Sequence, residues 1–218
     1  MEAACARAGR NPGEVRLMAV TKTQNRETVL EAYEAGLRLF GENRVAEAVE
    51  KYTAAPGDIE LHLIGHLQTN KAKAAAGLFS WIDSLDSLHT AQALNSRLET
   101  EGKTINILLE LNTSGEASKS GYASFEALEK ELPAILSLPC LCLRGLMTMG
   151  PLTEDRAKIR EAFRLLKTSA DKLGSSVPAS CRIDTLSMGM SGDFEIAVEE
   201  GATLLRLGTI LFGGRPAA

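Results

Sequence analysis

Composition alone singles out very little in this sequence. Aromatic residues make up 5% of the 218 residues, with one tryptophan, Trp81, and three histidines. No apolar stretch is long enough to span a bilayer; the longest, "LPCLCLRGLMTM", is interrupted by Arg144. The opening "MEAACARAGRNPGEVRL" lacks the apolar core of a signal peptide. The four cysteines, Cys5, Cys140, Cys142 and Cys181, show no C-x-x-C spacing, which argues against a zinc ribbon or a redox dithiol. They read as buried, reduced thiols, with Cys140 and Cys142 on one face of a strand, and a reducing cytoplasm suits them. The net charge of −4 provides no global basic field for nucleic acid or an anionic membrane, so any phosphate contact must be local. No Pro- or Ser-rich linker, low-complexity run or coiled-coil heptad divides the chain, and residues 1–218 read as one domain. Hydrophobic residues at 44% and charged residues at 24% are ordinary for a globular protein with a substantial core.

The order is more informative than the content. An apolar strand, a loop, an amphipathic helix and a glycine recur along the chain. Strands are expected at 16–21, "LRLF" (37–40), "ELHLI" (60–64), "SWIDS" (80–84), "INILLEL" (105–111), "CLRGLMTM" (142–149), "RIDTLS" (182–187) and "TLLRLG" (203–208). Asn25 is a candidate N-cap for the first intervening helix, and Gly36 sits where a C′ glycine belongs. The clearest helix is expected to be capped by Thr153, with Glu154 and Asp155 in its first turn and Ile159, Phe163, Leu166, Ala170 and Leu173 as its apolar stripe. Strands alternating with helices imply parallel pairing through right-handed crossovers. A single-domain (β/α)8 TIM barrel, an α/β fold, satisfies this; an open doubly wound sheet is the alternative.

In such a barrel, chemistry gathers at the C-terminal ends of the strands. Polar and glycine residues crowd that end: Lys22; "GENR" with Asn43; "IGHLQTNK"; Asp83 and Ser84; "LNTSGEASKSGY"; "SMGMSGD"; and Arg206 leading into "GTILFGG". The opposite connections, such as "LETEGKTI", read as plain surface turns. "SMGMSGDFEIAVEE" places Ser191 at the start of a helix behind a glycine, and "RLGTILFGG" adds Gly208 and the Thr209 hydroxyl; together, after adjacent strands, they read as a phosphate site. Lys22 closes an apolar strand, where burial disfavours the charged form of an amine and favours its attack on an aldehyde. Two ligand classes fit: pyridoxal 5′-phosphate (PLP), or a sugar phosphate as in Schiff-base aldolases. In barrel aldolases the reactive lysine commonly lies on a middle strand, which counts against the second.

The stretches "LMAVTKTQ", "LFGENRVAEAVEK", "LHLIGHLQTNKAK", "LSMGMSGDFEIAVEEG" and "LLRLGTILFGGR" resemble, in order and over almost the whole chain, the pyridoxal phosphate homeostasis proteins. These are PLP-binding barrels similar to the N-terminal domain of alanine racemase (fold type III). The resemblance implies that Lys22 forms the internal aldimine with PLP and that Asn43 lies beside the cofactor ring. It implies that Ser191, Gly208 and Thr209 hold the phosphate, and that Arg206 faces the pyridine nitrogen. Met188 and Gly189 would line the loop between, and Gly65 and His66 the loop after strand three. A guanidinium only donates, so Arg206 would leave the ring nitrogen unprotonated and weaken PLP as a carbanion sink. Two departures stand out: Leu61 where relatives often carry tryptophan, and Gln24 where many carry a second lysine. Little of the relatives' N-terminal helix precedes "CARAGR".

The resemblance implies a PLP carrier acting in intracellular vitamin B6 homeostasis, with little or no catalysis; a PLP-dependent amino-acid racemase is the alternative. Racemisation needs two bases on opposite faces of the substrate carbon, and related racemases add a β-domain that this chain, ending "GGRPAA", is not expected to have. Tyr33 and Tyr52 are expected in helices away from the mouth, with Tyr122 in a loop on the right side. PLP-requiring apoenzymes are the implied protein partners, and a monomer the expected state. His62 and His66 flank a strand end and a loop, which speaks against a metal site; Glu195, Glu199 and Glu200 read as a wet helix face, and Lys119 as a mobile surface lysine.

Overall fold

The computed structural model describes residues 1–116, 119–179 and 181–214. Ala117 and Ser118 of the loop after strand five, and the last four residues of "GGRPAA", lie outside the described residues. Eight parallel strands close into a barrel in sequence order, with β1 pairing both β2 and β8. The strands are β1 (Arg16–Val20), β2 (Leu39–Glu42), β3 (Glu60–Leu63), β4 (Trp81–Leu85), β5 (Ile105–Glu110), β6 (Leu141–Met147), β7 (Thr185–Ser187) and β8 (Leu204–Leu207). After the N-terminal helix α1 (Glu2–Arg7), helices follow the strands in turn: α2 (Arg26–Glu34), α3 (Val45–Tyr52), α4 (Ala72–Leu78), α5 (Leu88–Glu101), α6 (Phe125–Leu136), α7 (Arg156–Ser176), α8 (Phe194–Glu199) and α9 (Thr209–Phe212).

Local chemistry sets these boundaries. The side chains of Asn25, Ser87 and Ser124 each accept the backbone N–H of the residue three further on, closing the first turns of α2, α5 and α6; such a cap contributes about 1 kcal/mol. The cap of α7 is Asp155, which accepts from Ala157 and Lys158, and not Thr153: the Thr153 hydroxyl accepts the Asp155 N–H one turn earlier. The expected stripe of α7, from Ile159 to Leu173, is buried, each large side chain contributing about 1.5–3 kcal/mol through area removed from water.

Strand alternation divides the core into two layers. Met18, Val20, Leu39, Ile64 and Leu204 form one cluster, and Trp81, Leu108 and Met147 another. Ala19, Phe40, Leu61, Leu63 and Ile82 belong to the large layer that packs against the helices. Gly41 makes room for the first cluster, since a Cβ there would come 2.4 Å from Met18 Sδ.

Several sequence expectations are shifted by tertiary pairing. β2 begins at Leu39 and runs through Gly41 and Glu42, because its four residues pair in register with Glu60–Leu63 of β3. Glu42, expected in a loop, is therefore fully buried at a strand end, and Asp83 and Ser84 lie within β4 and are buried. Of the cysteines only Cys5 is buried; Cys140 and Cys181 are half-buried and Cys142 is exposed, all as free thiols. Glu199 and Glu200 are not simply solvated: they pair with Arg7, Arg160 and Arg164, joining α1 and α7 to α8. Among the described residues no helix is long and apolar enough to cross a membrane.

Candidate functional site

Alternation along β1 sends Met18 to the cluster with Leu39 and Leu204, and places Lys22 two residues past Val20 at the barrel mouth. Asn43 follows β2, Arg206 lies in β8 beside Met18 in the register, and Ser191 stands in the turn between β7 and α8. Gly208 and Thr209 begin the short α9. These six residues meet around one cavity of about 410 Å³. Its apolar wall comes from Val20, Ile64, Met149, Leu152 and Met190, with Gly192 at the edge.

A larger cavity of about 490 Å³ opens at the opposite end of the barrel, between Arg10, Arg16, His62, Trp81 and Arg144. Its charges answer one another: Arg16 pairs with Glu60, Arg144 with Asp184, and Arg10 donates to the carbonyls of Val198 and Ala202. Size therefore favours one end and chemistry the other; a primary amine, a guanidinium, two hydroxyls and an amide around one cavity are a binding set, whereas matched ion pairs are a structural one.

Arg206 is held rigidly. It is 2% exposed, donates through Nη1 to Ser187 Oγ at 2.8 Å and through Nη2 to the Thr148 carbonyl at 2.8 Å, and its Nη2 lies 3.2 Å from Met149 Sδ. Burial pushes the guanidinium below its usual range, while the carboxylates of Asp83, Glu110 and Asp193 favour its charge. Ser187 passes the contact on, its Oγ lying 3.5 Å from Asp83 Oδ2. Asp83 Oδ1 faces His62 Nδ1 at 2.8 Å, and His62 Nε2 faces Glu60 at 3.0 Å. Burial opposes charge on His62, yet Asp83 and then Glu60 outweigh it and raise the ring above its ordinary value. Glu60 responds in the other direction: burial is outweighed by His62 and Arg16, which bring its carboxyl down to about 2. A line of alternating charge thus runs through the barrel and ends at Arg206. Beside it, burial and then Asp86 push Glu110 up to about 7, with Arg206 opposing them.

On the other side of the mouth, the Met190 N–H donates to Asp193 Oδ1 at 2.6 Å, and the Ile210 N–H to Ser191 Oγ at 3.3 Å, so the loops after β7 and β8 are tied together. Gly208 brings the α9 backbone close to β1; a Cβ would meet the Val20 carbonyl at 3.3 Å.

Lys22, Asn43, Ser191, Arg206, Gly208 and Thr209 are brought together, whereas Gly65, His66, Met188 and Gly189 are not among the described residues that line the cavity. Gly65 lies under Asn43, where a Cβ would fall 2.2 Å from the Asn43 carbonyl oxygen. His66 bonds Asp86 at 2.9 Å, so the two histidines face different carboxylates. Met188 is fully buried beneath the loop, and the Gly189 carbonyl accepts the Arg206 N–H at 3.0 Å. Lys119, expected to be mobile, donates to the Gly150 carbonyl at 2.7 Å and pairs with Glu116. Tyr52 reaches back from α3 to within 2.7 Å of Thr21 Oγ1, so it stands directly behind β1. The apolar wall escaped sequence reasoning; only Val20, two residues before Lys22, carried a signal through strand alternation.

The alanine racemase N-terminal domain model matches residues 2–216. The pyridoxal phosphate homeostasis protein of Vibrio alginolyticus is 43% identical over 215 residues, covering 96% of this chain and 90% of its own. That of Pseudomonas aeruginosa is 45% identical over 210 residues, covering 95% and 88%. Among solved structures, PipY of Synechococcus elongatus with PLP bound superposes with a TM-score of 0.85 at 38% identity, covering 97% of this chain and 99% of that one. An alanine racemase from Clostridium difficile shares the fold alone, with a TM-score of 0.75 at 14% identity, covering 99% of this chain and 56% of its own. By sequence and by fold, the chain belongs to the pyridoxal phosphate homeostasis protein family, within the alanine racemase N-terminal domain barrels.

Proposed function

We propose that this protein binds PLP at the C-terminal mouth of the barrel and serves intracellular PLP homeostasis. The observation that carries the reading is one cavity joining Lys22 to Ser191, Gly208 and Thr209. Lys22 Nζ is the amine that would take the cofactor covalently; Ser191, Gly208 and Thr209 would hold its phosphate, Asn43 would lie beside its ring and Arg206 would face its nitrogen. Gly65, His66, Met188 and Gly189 would act from behind, supporting the loops. When bound, PLP supplies an aldehyde that an amine captures reversibly. The residues fit that group: the guanidinium donates and cannot accept, the hydroxyls suit a phosphate, and the apolar wall suits a ring.

The racemase reading is less well supported. A second base is needed, and the tyrosines are engaged elsewhere. Tyr33 donates to Asp58, Tyr122 donates to Glu131, and burial raises Tyr52 well above its ordinary range. None of them lines the cavity among the described residues. The proposed role is therefore a reservoir in the cytoplasm, monomeric, that gives PLP to apoenzymes requiring it.

Addition of PLP to the purified protein is expected to produce a visible band distinct from that of free PLP, and the loaded protein is expected to leave both enantiomers of alanine unchanged. Absence of the band would contradict the binding claim, and enzymatic turnover of either enantiomer would replace the reservoir with a racemase.

A further inference from the structure

Behind Lys22, on the side of β1 that faces α3, lies a cluster of charged side chains that the cavity does not include. Thr21 is fully buried there. Its Oγ1 donates to Glu42 Oε1 at 2.7 Å and accepts from the Tyr52 hydroxyl at 2.7 Å. Lys51, on the last turn of α3 and 7% exposed, is the centre of the group. Its Nζ donates to the Thr21 carbonyl at 2.6 Å, to Glu42 Oε1 at 2.9 Å and to Glu47 Oε1 at 2.6 Å. Glu47 Oε1 also accepts the Thr23 N–H at 2.6 Å. The carbonyl before Lys22 and the amide after it are thus tied to one ammonium–carboxylate pair on one helix.

The backbone at the second tie is strained. Thr23 has φ +67°, a left-handed conformation that a β-branched residue rarely adopts and that persists only where the surroundings impose it. The surroundings here are costly ones. The Lys51–Glu42 pair is buried, and a buried ion pair is seldom a net gain over apolar packing, so its placement behind Lys22 calls for a reason beyond stability. Glu42 Oε2 is buried without a hydrogen-bond partner among the described residues, a further sign that the cluster is not optimised for stability alone. Burial works against the Glu47 carboxylate, but Lys51 and the Thr23 amide outweigh it and hold its carboxyl below the usual range.

We propose that Lys51, together with Glu47, is a positioning residue: the pair holds the Lys22 peptide in its strained turn and so directs the Lys22 amine to the aldehyde of the ligand. The proposal rests on the PLP reading above. It separates two parts of binding. Covalent capture needs one nitrogen in one place, whereas the phosphate would be held by the loops after β7 and β8, away from α3.

The test compares two ligands. Pyridoxine 5′-phosphate keeps the ring and the phosphate but has an alcohol in place of the aldehyde. In Lys51→Met the affinity for PLP is expected to fall about tenfold or more, as charge-assisted hydrogen bonds to the turn are lost, while that for pyridoxine 5′-phosphate stays within about twofold. Glu47→Gln, at a more exposed position, is expected to show a smaller loss of the same selectivity, with faster hydrogen exchange at the Thr23 amide in the ligand-free protein. Equal losses for both ligands, or no loss for either, in a folded variant would overturn the proposal. Should Lys51→Met fail to fold, Glu47→Gln with unchanged PLP affinity and unchanged Thr23 exchange would overturn it instead. A wild-type protein that captures no PLP would overturn the PLP reading itself and this proposal with it.

Discussion

On the β1–β2 side of the cavity, Lys51, Glu42 and Glu47 stand behind Lys22 and fix the backbone through side-chain charges. On the β7–β8 side, the Met190 N–H closes the turn on the Asp193 carboxylate and the Ile210 N–H joins the Ser191 hydroxyl, so that wall rests on single hydrogen bonds from backbone amides to side-chain oxygens. The two walls meet different demands. A covalent bond requires one atom in one direction, which favours a turn immobilised by ion pairs in a low-dielectric layer. A phosphate spreads its charge over several oxygens and accepts donors over a range of angles, so backbone amides and hydroxyls suffice. Losses at the first wall should therefore be steep and specific to the aldehyde, and losses at the second gradual and common to any phosphorylated ligand.

The largest effect should come from Lys22→Ala. PLP retained through gel filtration is expected to drop by about a hundredfold or more, because the variant keeps only the noncovalent contacts. Retention near the wild-type level would show that the first wall has no covalent role. Next comes Gly189→Ala. Gly189 has φ +93°, and an added Cβ would stand 2.5 Å from Ala197 Cβ, so a stability loss of about 2–3 kcal/mol in denaturant titration is expected. A loss under about 0.5 kcal/mol would mean that the second wall yields more easily than its packing implies.

Glu110, buried at the end of β5 and within the field of Arg206, tests the electrostatics. Its carboxyl keeps its proton to about 7 in the folded protein against an ordinary value of 4.5, through burial and then Asp86. Between those values the folded state holds a proton that the unfolded chain has released. Stability therefore falls as pH rises through that window, by up to about 3 kcal/mol from this group. Glu110→Gln should flatten the fall in the ligand-free protein; an unchanged pH profile would remove Glu110 from the account. The smallest effect is expected for Ser191→Ala, where one lost hydrogen bond should weaken PLP about fivefold and leave the fold intact. Unchanged affinity would take Ser191 out of the phosphate site.

Much of this was legible from sequence because it is periodic or chemically marked. Alternating strands and helices gave the barrel, and the barrel gave the end at which Lys22, Asn43, Ser191, Arg206, Gly208 and Thr209 would meet. The rest depends on pairing between distant strands. Glu42 reads as a loop residue because "GEN" looks like a turn, yet β3 extends β2 through it, and its charge is answered by Thr21 and Lys51. The charge line through His62 carries no mark in the sequence, because Asp83 on β4, which faces His62, and Ser187 on β7, which contacts Asp83, are far apart in the chain. Leu152 and Met190 form wall only after two loops converge, and an apolar side chain in a loop carries no chemical flag.

The central claim is that the Lys22 amine captures the aldehyde of PLP. Borohydride reduction of the PLP-loaded protein, followed by digestion and peptide mass spectrometry, reads it directly. A reduced pyridoxyl group on Lys22 is the predicted result; a label on any other lysine, with Lys22 unmodified, would contradict it.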